Sequence, residues 1–187
     1  MPTKLDLDTT NGIITITPED ATCPPIVITD VDIDQYRETL DTVPQLFCYK
    51  STEYDPLEMS PVDGRYSKGG CLYTITSLSA AQAEVDDWEY RNLYSVGSPH
   101  PIYLLNFTRL ADDFGIRNMV TQHVSAGGWE PTQQFANYFT HHLGVSAIIV
   151  PSIKSSDNCI NFYADDRLPD DFLTLCSPPI SSRSLPS

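Results

Sequence analysis

Proline interrupts this chain along its whole length. The sequence holds 15 prolines against 9 glycines among 187 residues. Because proline fixes φ, lacks an N–H donor and breaks helices, the pattern predicts many loops and short elements and argues against a helical bundle. The length suits one domain, and a hydrophobic fraction of 41%, with 10% aromatic residues, is enough for a hydrophobic core.

Short runs of β-branched and aromatic residues between these breaks predict strands. The runs lie at residues 12–18, 26–28, 46–50, 71–75, 102–107, 147–152 and 159–163. Helical patterns lie at residues 32–40, 78–94, 111–120 and 131–143. Pro131 suits the first position of the last helix, and Gly144 suits its C-terminal cap. This mixed order predicts an α+β domain, with a compact mixed sheet and helices segregated outside it.

Composition divides the chain into three parts. Residues 1–44 are a lead-in that either packs on the domain, extends its sheet or forms a docking surface for a partner. Residues 45–175 hold most of the strand and helix patterns and form the main domain. Residues 176–187 are rich in proline and serine, which predicts a flexible tail.

The formal net charge of −14 excludes some partners. An acidic surface repels phosphate backbones and anionic lipids, so we expect neither a nucleic-acid groove nor membrane docking. The charge suits a basic partner protein, although solubility alone also accounts for it. The N-terminus shows no signal peptide pattern, and the apolar runs are too short to cross a bilayer. We therefore expect a cytoplasmic protein, or an effector that another machine delivers into a target cell.

The metal-binding residue types form no recognised site. The five cysteines contain no C-x-x-C pair, so reduced thiols are expected, and neither a zinc site nor a disulfide framework is predicted. His141 and His142 are adjacent and cannot both ligate from one helix face. The acid pairs near the C-terminus lack the EF-hand pattern. No metal is expected.

A polar, glycine-rich loop precedes the strand at 71–75. Gly64, Arg65 and Ser67 lie in this loop, where backbone N–H groups and a guanidinium fork could bind a phosphate. Spacing alone favours a surface loop with a solvated arginine. The loop matches neither a Walker A nor a dinucleotide-binding G-x-G-x-x-G pattern.

Three further residues are candidates for chemistry. Tyr73 lies in the following strand and is either a core tyrosine or a flat surface for a nicotinamide or ribose ring. Glu84 lies in the next helix, either on a solvated acidic face or facing inward, where it could stabilise a cationic sugar transition state. Ser152 ends the strand at 147–152 and either forms a turn or donates a hydrogen bond into a cleft. No G-x-S-x-G elbow surrounds it.

The order of these motifs resembles the RES domain family. Asp63-Gly-Arg-Tyr-Ser-x-Gly-Gly, Leu72-Tyr-Thr and Ala80-Ala-Gln-Ala-Glu resemble its first three motifs. Ile148-Ile-Val-Pro-Ser, followed by Asn158-Cys-Ile-Asn-Phe, resembles its closing motif, and Gln133 or Gln134 resembles a glutamine on its second long helix. The resemblance covers residues 45–166. It departs at Lys50, which follows Tyr49 where the family has arginine.

The resemblance implies an ADP-ribosyltransferase-like fold and a toxin that degrades NAD. It implies that Lys50 and Arg65 hold the NAD phosphates. Gly64 and Ser67, in the same loop as Arg65, would also bind the substrate. It implies that Tyr49 or Tyr73 packs on the nicotinamide. Glu84 would polarise the ribose, and Ser152 would orient the ligand. NAD would be the substrate, with no permanently bound cofactor.

Two alternatives to NAD degradation remain at the sequence level. The same pocket could transfer ADP-ribose onto a macromolecule, or the chain could be a non-catalytic binding module that keeps the fold. The family resemblance also implies a partner, an Xre-like antitoxin or an immunity protein. Lysine at position 50 keeps the positive charge but loses the bidentate fork of arginine, which leaves the manner of pyrophosphate binding open.

Overall fold

The computed structural model describes residues 4–41, 45–51, 53–84, 91–121, 128–164 and 168–181. Within these ranges a large mixed sheet forms the centre of the protein. Its strands, in spatial order, are Thr174–Leu175 (β13), Arg91–Gly97 (β9), Leu46–Ser51 (β5), Cys71–Ile75 (β8), Asn158–Tyr163 (β12), Ala147–Pro151 (β11), Ile102–Asn106 (β10) and Arg37–Leu40 (β4). Ile180–Ser181 (β14) also pairs with β9.

The pairing of β10 with β11 is parallel, and the other pairings in this sheet are antiparallel. Helices lie outside the sheet and do not alternate regularly with its strands. They are Asp30–Asp34 (α1), Leu78–Glu84 (α2), Phe107–Asp113 (α3), Arg117–Thr121 (α4) and Glu130–Asn137 (α5), which continues into a π-helical turn at Tyr138–His142. The protein therefore has the expected α+β fold with a mixed sheet.

A separate antiparallel sheet precedes the main sheet. It consists of Lys4–Asp8 (β1), Ile13–Thr17 (β2) and Ile26–Thr29 (β3). Ile14 and Ile16 of β2 and Ile28 of β3 are buried in the same core cluster as residues of α3 and α5. The hydroxyl of Tyr138 also donates a hydrogen bond to Asp30, at 2.7 Å. Apolar burial and this hydrogen bond join the N-terminal sheet to the helical side of the protein.

Both faces of the central strands are covered. Every residue of β11 is buried, as is typical of a strand packed on both sides. On one face the rings of Phe107, Phe135 and Phe139 form a cluster, with centroids 5.1–5.9 Å apart. The opposite face packs a second cluster that includes Leu46, Leu72, Val96, Ile160 and Phe162.

Three helix predictions were wrong in extent. The helix predicted at 78–94 ends in the structure at Glu84, and Arg91–Gly97 forms β9, which pairs with all six residues of β5. Residues 85–90 lie outside the described part. The helix predicted at 32–40 occupies Asp30–Asp34 only, and Arg37–Leu40 pairs with β10. In both segments, pairing with a distant strand overrode a local helical pattern.

The third of these helices is divided. Residues predicted as one helix at 111–120 belong to α3 and α4, which are separated by Gly115 with φ of 67°. That left-handed conformation suits glycine and ends α3. The glycine-rich loop at 63–70 also differs from the prediction. It contains a short hairpin, Asp63–Gly64 (β6) paired with Ser67–Lys68 (β7).

The C-terminal segment contributes to the main sheet. Residues 180–181, in the segment expected to be a flexible tail, pair with β9. Among the described residues, no helix has the length and apolar character needed to cross a membrane.

We expect Phe107→Ala to reduce the free energy of unfolding by about 3–5 kcal/mol, because it removes a fully buried ring and leaves a cavity. Urea unfolding followed by circular dichroism measures this change. Val31→Ala is the control, since Val31 is 76% exposed and its loss should cost less than about 0.5 kcal/mol. Equal effects of the two substitutions would contradict the assignment of Phe107 to the core.

Candidate functional site

A cavity of about 600 Å³ opens beside the β6–β7 hairpin. Its walls come from β5, β8, the ends of β11 and β12 that meet there, the loop after β5 and the residue before α5. The volume lies within the range of small-molecule sites in proteins. The cavity is therefore large enough for a ligand of cofactor size.

The fold brings together most of the residues singled out from the sequence. Tyr49, Lys50, Arg65, Tyr73 and Ser152 all line this cavity, although they come from four separate segments of the chain.

Gly64 and Ser67 lie in the hairpin and contact Tyr73 rather than the cavity itself. The Ser67 hydroxyl is hydrogen-bonded to the Tyr73 hydroxyl at 2.9 Å. A Cβ atom on residue 64 would overlap the Tyr73 hydroxyl, so only glycine permits this close approach. Glu84 is the last residue of α2, and its side chain lies outside the described part of the structure.

Four consecutive carbonyl groups of the hairpin are held by side chains from elsewhere in the fold. The amide of Gln133 donates to the carbonyl oxygens of Gly64 and Ser67, at 2.7 and 3.2 Å. The Thr132 hydroxyl donates to the carbonyl of Arg65, and the Tyr163 hydroxyl donates to that of Tyr66, at 3.0 Å. We call this arrangement the hairpin clamp. It fixes the backbone that carries Arg65 before any ligand binds.

The clamp explains why two polar residues in the first turn of α5 are buried. Thr132 is 3% exposed and Gln133 is 7% exposed. A buried amide or hydroxyl group is costly unless it is hydrogen-bonded, and the hairpin carbonyls supply the acceptors. Gln133 is therefore the residue of the pair Gln133 and Gln134 that contacts the site, whereas Gln134 bonds Glu130 on the exposed side of the helix.

Burial changes the protonation equilibria around the hairpin. It lowers the pKa of Arg65, which still carries its charge near neutral pH because the free guanidinium titrates so high. Burial raises the pKa of Tyr66 and of Tyr73, so both hydroxyls stay protonated and can donate hydrogen bonds. It also raises the pKa of the Cys71 thiol to about 12, which removes this cysteine as a thiolate nucleophile near neutral pH.

Ser152 organises the turn after β11. Its hydroxyl oxygen accepts hydrogen bonds from the backbone N–H groups of Lys154 and Ser155, at 3.1 and 3.2 Å. A serine hydroxyl also has one hydrogen to donate. The residue is 8% exposed, with its remaining contact surface at the cavity wall. Ser152 can therefore form the turn and still donate a hydrogen bond into the cavity, the two roles that the sequence suggested as alternatives.

The charge in the cavity opposes the charge of the whole chain. Among the described lining residues, the cations are Lys50, Arg65 and Lys154, and the carboxylate is Glu58. The Lys50 ammonium also donates to the carbonyl oxygen of Glu58, at 2.6 Å. Since the chain carries a formal charge of −14, this excess of positive charge marks a site that can attract an anion.

Flat side chains make up much of the remaining wall. They are Tyr49, Tyr54, Tyr66, Tyr73 and Trp129. Aromatic faces offer stacking surfaces to heterocyclic bases and to cationic rings. The sequence indicated Tyr49 and Tyr73 but gave no signal for Trp129, Lys154 or Glu58, because these lie in loops that only the fold brings to the cavity.

Metal-binding residues do not gather at this cavity. In the described ranges, no group of three or more histidine, cysteine, aspartate or glutamate side chains is placed to hold a metal ion. What the arrangement provides is a half-buried guanidinium on a fixed backbone, tyrosine hydroxyls and stacking surfaces.

The fold is similar to one found in a toxin–antitoxin complex. It matches a chain in the crystal structure of the M. tuberculosis MbcT–MbcA toxin–antitoxin complex, with a TM-score of 0.61 and 15% sequence identity. The match covers 79% of this chain and 88% of that chain. At this identity the likeness establishes a shared fold. No protein-family model and no curated protein sequence matches the chain.

The hairpin clamp leads to a prediction about two neighbouring glutamines. We expect Gln133→Leu to lower the free energy of unfolding by about 1–3 kcal/mol, because it leaves the carbonyls of Gly64 and Ser67 without these donors in a buried setting. Gln134→Leu, on the same helix, is the matched control and should change stability by less than about 0.5 kcal/mol. Urea unfolding of both variants checks this. The clamp would be refuted if the two substitutions had the same effect.

Proposed function

We propose that this chain is a toxin that consumes NAD by cleaving the bond between nicotinamide and ribose, with water or phosphate as the acceptor. The observation that carries the proposal is the composition of the cavity. Among the described residues, three cations, one carboxylate and five aromatic side chains line one pocket in a chain of strongly negative charge. A dinucleotide with a pyrophosphate and two flat bases has the matching chemistry.

Arg65 and Lys50 are proposed to hold the pyrophosphate. Arg65 presents a planar fork that can bind two phosphate oxygens at once, and the hairpin clamp fixes its backbone in advance. Lys50 contributes a single ammonium group, which acts as a point charge rather than a fork. We expect phosphate recognition in this protein to depend more on Arg65 than on Lys50.

The remaining residues are proposed to act on the reacting half of NAD. Tyr49 or Tyr73 would pack on the nicotinamide ring, and Ser152 would orient the ligand through its hydroxyl hydrogen. Glu84 would stabilise the positive charge that develops on the ribose as the bond breaks. The leaving nicotinamide departs as a neutral molecule and takes the bond electrons with it, so the step needs no metal to activate the leaving group.

A protein antitoxin is the proposed partner. The structural neighbour comes from a toxin–antitoxin complex, which supports a partner of this general kind. The overall acidity of this chain would favour a partner with a basic contact surface.

The direct test is NAD loss in the presence of the purified chain, measured with and without inorganic phosphate. We expect NAD to disappear, with phosphate dependence separating phosphorolysis from hydrolysis.

Arg65→Ala should lower kcat/KM by about 10- to 100-fold, the loss expected when one charged hydrogen-bonding group is removed. Glu84→Ala should lower kcat by about 100-fold or more, because the Glu84 carboxylate would stabilise the positive charge on the ribose in the transition state.

Two surface substitutions control for nonspecific effects. Arg37→Ala removes an exposed arginine that pairs with Asp34, and Glu19→Ala removes an exposed carboxylate. Both should leave NAD loss unchanged. The same assay with NAD labelled in its ADP-ribose part tests for transfer. Label that appears on protein or nucleic acid would instead indicate ADP-ribose transfer. Absence of any NAD-dependent reaction would favour a non-catalytic binding module and overturn the proposal.

A further inference from the structure

One wall of the cavity is a loop that belongs to no helix or strand. We call residues 54–62 the wall loop, because six of them line the cavity: Tyr54, Glu58, Met59, Ser60, Pro61 and Val62. A segment outside regular structure has few backbone hydrogen bonds of its own, so its order depends on contacts with the rest of the fold. The shape of the cavity therefore depends on what fixes this loop.

Two side chains of β5 hold the wall loop. Cys48 and Lys50 are two residues apart on this strand, so their side chains leave the same face. The Lys50 ammonium donates to the carbonyl oxygen of Glu58, at 2.6 Å, and the Cys48 thiol donates to that of Pro56, at 3.6 Å. A thiol is a weak donor, whereas the lysine bond is short and charge-assisted. Lys50 is therefore the stronger of the two tethers.

The end of the wall loop that precedes β6 is held by the backbone instead. The Ser60 N–H donates to the carbonyl oxygen of Cys71, at 2.9 Å, and the Ser60 carbonyl accepts from the Gly70 N–H, at 2.8 Å. Glu58 lies two residues before this bridge. The bond from Lys50 therefore fixes the stretch of the loop that comes before the bridge.

This bond gives Lys50 a role that is separate from phosphate binding. The ammonium group has three N–H donors, and the Glu58 carbonyl accepts from one of them. The nitrogen also lies at the cavity wall, where its charge acts on an anionic ligand without a bidentate contact. Lysine at position 50 can thus hold the loop and still contribute its positive charge to the site.

We propose that Lys50 is a positioning residue that fixes the wall loop through Glu58 and so keeps the cavity formed before a ligand binds. The identity of the ligand rests on the proposed function, whereas the anchoring of the loop is a property of the free protein. A wall that is already ordered lowers the entropic cost of binding, as the hairpin clamp does for Arg65.

Amide hydrogen exchange of the free protein, followed by mass spectrometry, tests the anchor without a ligand. The N–H groups of Leu57, Glu58 and Ser60 are hydrogen-bonded, so their exchange reports release of the loop. We expect Lys50→Met to speed exchange in peptides of the wall loop by about tenfold or more, because a hydrogen bond from a charged group is lost. Lys50→Arg keeps a charged donor and should exchange within about threefold of the wild type.

Two controls separate release of the loop from general destabilisation. Exchange in α5 should stay within about twofold of the wild type in Lys50→Met, because the core helix does not depend on this bond. Lys4→Met removes an exposed lysine of β1 and is the matched control, with no change expected in the wall loop.

Kinetics connect the anchor to ligand binding. Lys50→Met should raise KM for NAD by about tenfold and change kcat by less than about threefold, because an ordered wall contributes equally to binding of the ground state and of the transition state. In a wild-type protein that consumes NAD, a KM that stays the same in Lys50→Met overturns the role of the anchor in binding.

The exchange results stand apart from the proposed function. Unchanged exchange of the wall loop in Lys50→Met overturns the anchor, even if the wild type consumes NAD. Equally fast exchange in Lys50→Met and Lys50→Arg also overturns it, because a charged donor would then not be what holds the loop. Faster exchange in Lys50→Met alone, in a protein that leaves NAD intact, supports the anchor and refutes the proposed function.

Discussion

The hairpin clamp is the interaction on which the site depends. A two-residue strand pair has little stability of its own, yet the β6–β7 hairpin must hold Arg65 at the edge of a cavity. Gln133, Thr132 and Tyr163 bind its four consecutive carbonyl groups from α5 and β12. The position of a guanidinium group thus depends on packing between a helix and a sheet. A loop on its own would have to pay the ordering cost when the ligand binds.

The same contacts connect the site to the hydrophobic core. The same helix, α5, contributes Phe135, which packs against Phe107 with ring centroids 5.1 Å apart. Tyr66, beside Arg65, also contacts Phe107, at 6.5 Å between centroids. Core packing therefore fixes the helix, and the helix fixes the hairpin. Substitutions in this aromatic cluster should affect ligand binding as well as stability.

The sequence predicted the strands of the main sheet well because those segments carry buried β-branched runs bounded by prolines or glycines. It failed at β4 and β9, and it did not predict the two-residue strands β13 and β14. Arg37–Leu40 and Arg91–Gly97 have no local pattern that excludes a helix, and pairing with β10 and β5 decides their structure. At the site, short motifs located Tyr49, Lys50, Arg65, Tyr73 and Ser152, which the fold does bring to one cavity. Trp129 and Lys154 could not be found in this way, because loop residues reach a cavity only through tertiary structure.

In the proposed function, this cavity binds a dinucleotide through a pre-positioned arginine. A crystal structure of the protein with a non-cleavable carbocyclic analogue of NAD would show whether it does. We predict that the analogue occupies the cavity, with pyrophosphate oxygens about 3 Å from the Arg65 guanidinium and with the hairpin backbone unchanged from the unliganded protein. An analogue bound elsewhere, or bound in the cavity with its pyrophosphate away from Arg65, would contradict the account.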